Sequence, residues 1–310
     1  MTHHAWLFPG QGSQQVGMAS DAGQHPLMRA TLATADDLLG FSLSSLMQDG
    51  PKAALDETLN TQPALYVHSI ALWRAARAEG LLPDATFVAG HSLGEYSALT
   101  AAGALPFEAG VRIVRERGRL RRESGEIARG RMAAIIALSD EQVAALCEAS
   151  SAPGEIVQVA NYNSPGQVVV SGARPAVDRL VAAAPAAGAR KVVPLDVSIA
   201  AHSPLMASVQ EEFAALVEAL PLAVPDVPVI GNMTAEPLTT VEAIRQELVG
   251  QLTGSVCWTA SVEAMVGAGV TEFIEIGSGA VLSGLVKRIA RQSRRHTLST
   301  WEDVVQFAGR

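Results

Sequence analysis

Cysteine is scarce in this chain of 310 residues, which holds two, Cys147 and Cys257. They stand far apart and match no metal-ligand spacing, so no metal site is expected and a reduced, cytoplasmic setting is. Basic charge is also in deficit. Lys and Arg number 23 against 31 Asp and Glu, a formal charge of −8. That balance argues against general nucleic-acid binding, and an acidic protein partner would need a local basic patch. No apolar stretch is long enough to span a membrane. The opening MTHHAWLFPGQG lacks a basic start followed by an apolar run, so no signal peptide is expected. No repeat of fixed period is found. What remains is a chain that is 48% hydrophobic and 17% charged, enough for a real core in one large domain or two modest ones.

Strand and helix patterns alternate along the chain. Ala5–Phe8 reads as a strand stopped by Pro9-Gly10, Pro63–Glu79 as a helix, and Thr86–Ala89 as a short strand. Ser92–Ala102 reads as a helix ending at Gly103, and Pro106–Glu123 as a long arginine-rich helix. This order predicts an α/β body with a largely parallel sheet. The middle differs. Strands at Met132–Leu138, Ile156–Tyr162, Val168–Ser171 and Lys191–Asp196 enclose helices at Asp140–Glu148 and Pro175–Ala184. That order is βαββαβ, a ferredoxin-like pattern, and predicts a small domain over 130–198 inserted between 1–129 and 199–310. The α/β pattern then resumes with a helix from Pro204, strands near Val229 and Phe273–Ile276, and a last helix from Gly279.

Gly90-His91-Ser92-Leu93-Gly94 has the G-x-S-x-G form of a nucleophile elbow. The bare pattern occurs by chance in about one chain in ten of this length. Its context is more specific: a strand precedes it and a helix follows, and the sharp turn between them needs glycine on both sides. Such a turn lifts the Ser92 hydroxyl above the sheet and aims the Leu93 N–H at the reacting centre. A nucleophilic serine needs a base. Of seven histidines, His3 and His4 are terminal, and His25 adjoins Pro26 in a loop-like stretch. His68 lies inside a helix and His296 in a basic C-terminal segment. His91 adjoins Ser92, but neighbouring residues at a strand end point to different faces. His202, before the helix-opening Ser203-Pro204, sits where an imidazole can reach into a cleft. No Asp or Glu stands out as a third member, and a backbone carbonyl can orient the ring equally well.

The helix Val114–Arg122 is dense in arginine and interrupted by Gly118, which costs about 1 kcal/mol against Ala and points to a close approach. Most of these arginines read as a solvated face. A buried one would pair bidentately with a carboxylate, which suits an acyltransferase whose acyl group ends in one.

These features occur within a longer series of motifs: FPGQGSQ at 8–14, TQPALY at 61–66, GHSLGEYSAL at 90–99 and Arg117-Gly118. NYNSPGQVVVSG at 161–172, HSPLM at 202–206 and QLTGSVCW at 251–258 complete it. On them the chain resembles the malonyl-CoA:acyl carrier protein transacylases of fatty-acid synthesis, and is similar to polyketide synthase acyltransferase domains. The resemblance covers essentially the whole chain. It implies a hydrolase-like α/β domain with a ferredoxin-like insert. It implies Ser92 as the acylated nucleophile, His202 as its base, and the Gln11 and Leu93 N–H groups as the oxyanion hole. Arg117 would bind the malonyl carboxylate, and the Gln251 carbonyl would orient His202. Asn163 would border the cleft, with His91 and Gln11 lining it.

Two positions depart from the family. Ala201 is small where many malonyl-selective members carry an aromatic, which leaves room for a larger acyl group. Arg121 stands where methionine is common, one turn after Arg117 and on the same face. The sequence leaves two readings of it, a second cation at the pocket or a stem running out to solvent.

The expected reaction is ping-pong transfer of malonyl from malonyl-CoA, through Ser92, to the phosphopantetheine thiol of acyl carrier protein. No cofactor is expected. The acidic carrier would dock on Lys287, Arg288, Arg291, Arg294 and Arg295, or on Arg190 and Lys191, of a monomer. The rivals are a polyketide-serving acyltransferase, a serine hydrolase and an idle carrier-docking subunit.

Overall fold

A computed structural model describes residues 3–195 and 199–309. Its strands are β1 (His4–Phe8), β2 (Phe87–Gly90), β3 (Gly130–Ile136), β4 (Val157–Ser164), β5 (Gln167–Ala173), β6 (Lys191–Pro194), β7 (Val229–Ile230), β8 (Pro237–Leu238), β9 (Glu272–Ile276) and β10 (Arg294–Leu298). Its α-helices are α1 (Pro26–Leu39), α2 (Leu43–Asp49), α3 (Lys52–Leu55), α4 (Thr58–Ala78), α5 (Gly94–Ala101), α6 (Phe107–Ile127), α7 (Asp140–Ser150), α8 (Arg174–Ala183), α9 (Gln210–Glu218), α10 (Val241–Gly250), α11 (Trp258–Gly267), α12 (Val281–Ile289) and α13 (Trp301–Ala308).

The larger sheet runs β10-β9-β1-β2-β7-β8. All its pairings are parallel except β7 with β8. Parallel strands need crossover helices, which cover both faces, so Ala5–Phe8 of β1 and all of β9 are buried without alternation, Glu272 and Glu275 of β9 included. One face packs on a cluster that includes Phe8, Tyr66, Leu72, Leu99 and Val114, from β1, α4, α5 and α6. The other packs Leu7 and Phe273 against Trp258, Val262 and Leu282, from α11 and α12.

The second sheet is antiparallel throughout, in the order β4-β5-β3-β6, and its elements follow the sequence βαββαβ. Here the apolar residues alternate as a two-faced sheet requires. Ala133, Ile135, Val168 and Val170 face α7 and α8. Met132 and Val169 face the opposite way, against Ile199 and Ala201 just before His202. Ala201 is therefore packed beneath the small sheet, and its size matches that contact. Among the described residues, no helix is long and apolar enough to cross a membrane.

The structure corrects three sequence expectations. The helix expected from Pro63 begins at Thr58, with Pro63 inside it. Pro63 has no N–H for the Leu59 carbonyl, and that carbonyl instead accepts from Arg115 Nη1 at 2.8 Å. The helix expected from Pro204 opens as a 3-10 segment, Pro204–Val209, before α9 begins. The helix after Gly279 is not the last, since β10 and α13 follow it. β10 reads Arg-Arg-His-Thr-Leu and escaped notice because an edge strand carries charge readily. α13 is opened by a capping box between Thr300 and Asp303, a visible sequence signal. The strand expected over Lys191–Asp196 is β6, ending at Pro194; Asp196 and the domain limit at 198 lie outside the described residues.

Candidate active site

The site lies at the carboxyl ends of the adjacent parallel strands β1 and β2, where α/β sheets place their ligands. β2 ends at Gly90 and α5 begins at Gly94. Between them Ser92 takes a left-handed φ of 53°, a strained backbone for a residue with a side chain. A Cβ on Gly90 would lie 1.9 Å from the Gly94 carbonyl carbon, and one on Gly94 would lie 2.0 Å from the Phe8 oxygen. Neither glycine tolerates replacement, and the turn exists because both are bare. Asn232 braces it. Its Oδ1 accepts the Ser92 N–H at 2.7 Å, and its Nδ2 donates to the Gly90 carbonyl at 2.8 Å. Glu95, fully buried, accepts from both the backbone and the side chain of Asn232 at 2.8 Å. Burial and the neighbouring Glu247 hold its carboxyl well above the usual range.

His202 arrives from the far side, also with a left-handed φ, 57°. Its Nε2 lies 2.7 Å from Ser92 Oγ. Its Nδ1 faces two carbonyls, Gln251 at 2.8 Å and Gly254 at 3.1 Å. Two acceptors there assign the ring proton to Nδ1 and leave the Nε2 lone pair toward the serine. Burial, then the charges of Arg121 and Arg117, hold the imidazole well below its ordinary pKa, so it stays neutral. The small sheet steadies this loop. Val256 donates to the Ala160 carbonyl of β4 at 2.8 Å, and Gln158 Nε2 donates to the His202 and Thr253 carbonyls at 2.9 and 2.7 Å.

Arg117 is wholly buried on α6. Its Nη2 donates to Ser92 Oγ at 3.1 Å and to Gln251 Oε1 at 2.5 Å, and its Nη1 donates to Gln62 Oε1 at 2.7 Å. Gly118 explains the close fit: a Cβ there would meet the Thr58 carbonyl oxygen at 2.8 Å, so α6 lies directly against the start of α4. Gln251 links the parts. Its carbonyl holds His202, its Oε1 accepts from Arg117, and its Nε2 donates to the Ser92 carbonyl at 3.1 Å and to Glu95. Arg121 is buried too, with Nη2 3.1 Å from His202 Nε2, so its stem does not run to solvent.

The structure thus brings Ser92, His202, Arg117 and Gln251 together. Leu93 is buried in the first turn at the head of α5. Gln11 lies in the loop after β1, its Oε1 accepting from Thr58 Oγ1 at 3.1 Å. His91 and Asn163 meet each other, Nε2 to Oδ1 at 2.8 Å, and so join the elbow to the small sheet. The two basic groups lie apart from this centre. Lys287, Arg288, Arg291 and Arg294 are exposed and Arg295 is half-buried, while Arg190 and Lys191 lie exposed at the small sheet's edge. Gln62, Glu95, Gln158 and Asn232 were missed by sequence reasoning. Gln62 and Glu95 stand inside recognised motifs, but nothing local marks Gln158 or Asn232.

A model of the acyl transferase domain matches residues 5–303. The malonyl CoA-acyl carrier protein transacylase of Salmonella typhimurium is 45% identical over 290 residues, 93% of each chain. The chain belongs to the malonyl-CoA:acyl carrier protein transacylase family. It is an acyltransferase. The transacylase of Bacillus subtilis is 41% identical over 98% of this chain and 96% of its own. Among solved structures, the malonyl CoA-acyl carrier protein transacylase of Coxiella burnetii superposes with a TM-score of 0.96, at 38% identity, covering 100% of this chain and 98% of that one. A malonyl-transacylase in complex with a type II polyketide synthase acyl-carrier protein gives 0.95, at 40% identity, covering 99% of both chains.

Proposed function

We propose that the enzyme transfers malonyl from malonyl-CoA to the phosphopantetheine thiol of holo acyl carrier protein by a ping-pong route through malonyl-Ser92, supplying fatty-acid synthesis. One observation carries this reading. The Ser92 hydroxyl lies within hydrogen-bond reach of both a neutral imidazole and a buried guanidinium. Family membership supplies the acyl donor and acceptor.

His202 takes the Ser92 proton as Oγ attacks the thioester carbonyl. The tetrahedral oxyanion is held by the Gln11 N–H from the loop after β1 and the Leu93 N–H at the head of α5. Its collapse expels the CoA thiolate, which leaves with the proton from His202. The carrier thiol then gives its proton to His202 and attacks the malonyl-serine; the acyl–Oγ bond breaks, and the Ser92 oxygen takes that proton from His202 as it leaves. One thioester replaces another, so the exchange is nearly isoenergetic and needs no ATP. The Gln251 carbonyl serves in place of a carboxylate by accepting the Nδ1–H bond and so orienting the ring. Arg117 exchanges an amide oxygen for the malonyl carboxylate, a stronger, charge-assisted bond.

The antiparallel unit over 130–198 acts as a ferredoxin-like insert in a hydrolase-like catalytic domain of 1–129 and 199–310. It covers the site through the His91–Asn163 contact. The enzyme works in the cytoplasm as a monomer, without cofactor. The carrier docks on the α12 patch, where Arg288 already reaches Gln167 of the small sheet at 3.0 Å; Arg190 and Lys191 offer the alternative surface. A polyketide carrier is the second reading of the acceptor, favoured by the carrier in the solved complex of a relative.

The test is the intact mass of protein mixed with malonyl-CoA, without acceptor, and quenched in acid. A malonyl adduct absent from Ser92→Ala is expected. No adduct from malonyl-, methylmalonyl- or acetyl-CoA would reduce the protein to an idle docking subunit.

A further inference from the structure

The His202 ring has one lone pair available, on Nε2, because its Nδ1–H is committed to the Gln251 and Gly254 carbonyls. Two donors converge on that lone pair: the Ser92 hydroxyl at 2.7 Å and Arg121 Nη2 at 3.1 Å. A single lone pair accepts well from one of them at a time. While Arg121 holds it, the base is not free to take the serine proton.

Arg121 is otherwise poorly satisfied. It is 3% exposed, and its Nε has no partner among the described residues. The Arg117 Nε is also unpartnered, and Arg117 donates to amide and hydroxyl oxygens. Two buried cationic forks thus stand one helical turn apart, and neither bonds to a carboxylate among the described residues. A buried charge in that condition strongly favours an anionic partner. The placement is rigid: Ser124, on the same helix, donates to the Leu205 carbonyl at 2.9 Å and ties α6 to the turn after His202.

We propose that Arg121 is a second specificity-determining cation, which competes with Ser92 for the His202 lone pair until the carboxylate of a carboxyacyl thioester draws it away. The inference rests on the malonyl-transfer reading above and deepens it. Arg117 selects the carboxylate by binding it. Arg121 makes the chemical step depend on it, because an acetyl or other neutral acyl group leaves the base encumbered. Discrimination then falls on the acylation rate at saturation as well as on KM.

The experiment is rapid-quench intact mass, following Ser92 acylation by saturating malonyl-CoA and acetyl-CoA in wild type, Arg121→Met and Arg121→Lys. Arg121→Met is expected to acetylate about tenfold faster and malonylate about tenfold slower than wild type. Arg121→Lys, which keeps the charge without the fork, is expected to recover part of the malonyl preference. The ratio of the two donors within one variant cancels any loss of folded protein. If Arg121→Met does not fold, Arg121→Leu, which likewise loses both the charge and the donors, is read by the same ratio. A wild-type adduct with an unchanged malonyl-to-acetyl ratio in the variants would make Arg121 a space-filling residue and overturn the proposal. No adduct in wild type would instead overturn malonyl transfer itself, and the proposal with it.

Discussion

Ser92 and His202 meet at 2.7 Å with nearly the same unusual backbone, φ of 53° and 57°, yet they are held there by opposite means. The serine's turn is made by its own neighbours: a strand, two glycines that nothing else can replace, and a helix. The histidine has no such local device. Its ring is aimed by the carbonyls of Gln251 and Gly254, and its own carbonyl is pinned by Gln158, all more than 40 residues away. The serine's geometry is local and brittle. The histidine's geometry is assembled by tertiary structure, with the small sheet as one of its supports.

The sharpest test of the local side is chemical. Ser92→Ala is expected to lower transfer by at least about ten-thousand-fold, because among the described residues no other hydroxyl lies on the His202 lone pair. The comparison itself is tested by Gly90→Ala against Gln158→Ala. The first forces a Cβ to 1.9 Å from backbone and is expected to destabilise the fold by more than about 4 kcal/mol, read as loss of the cooperative thermal transition. The second removes two hydrogen bonds from the histidine loop. It is expected to reduce transfer about tenfold through a misplaced ring, with a stability loss of only about 1–2 kcal/mol. A Gln158→Ala enzyme of full activity would show that the small sheet does not position the base.

The same contrast explains what could be read in advance. The elbow was legible because strand, Gly-x-Ser-x-Gly and helix are contiguous. The βαββαβ order was legible because each element carries its own period. His202 itself could be picked out by its strand-to-helix junction, but its supports could not, since Gln158, Asn232 and Gly254 become neighbours only on folding. Arg121 shows the limit. Its spacing from Arg117 put both on one face of α6, but only the packing of α6 against the turn after His202 decides that the side chain points inward. The C-terminal strand β10 was lost for another reason: its charged residues follow no apolar pattern, and its pairing with β9 is what makes it a strand.

The pH dependence separates the two arms of the site in a smaller effect. His202 must be neutral to act as base, and it is held low by burial, by Arg121 and Arg117 from α6, and by His91 beside the elbow, against the Gln251 carbonyl. The acid limb of kcat/KM should therefore fall well below the ordinary imidazole range. Removing the Arg121 charge in Arg121→Met raises the folded-state pKa. Protonation then sets in at higher pH, and the acid limb moves up toward that of a free imidazole. An acid limb that stayed in place would mean that the guanidinium charge does not reach the base in solution.

The smallest expected effect concerns the two exposed basic groups. Arg291 and Arg294 are exposed just after α12 and at the start of β10, on the large-sheet side, whereas Arg190 and Lys191 are exposed at the small sheet. A carrier that docks on the large-sheet side should feel charge reversal there and hardly at all on the other. Arg291→Glu with Arg294→Glu is expected to slow transfer to acyl carrier protein about three- to tenfold at low salt, converging on wild type as salt screens the surface. Arg190→Glu with Lys191→Glu should change it less than twofold by the same argument. The reverse ranking would move the docking surface to the small sheet. That sheet would then both receive the carrier and steady the histidine that deprotonates its thiol, coupling acceptor binding to the second half-reaction.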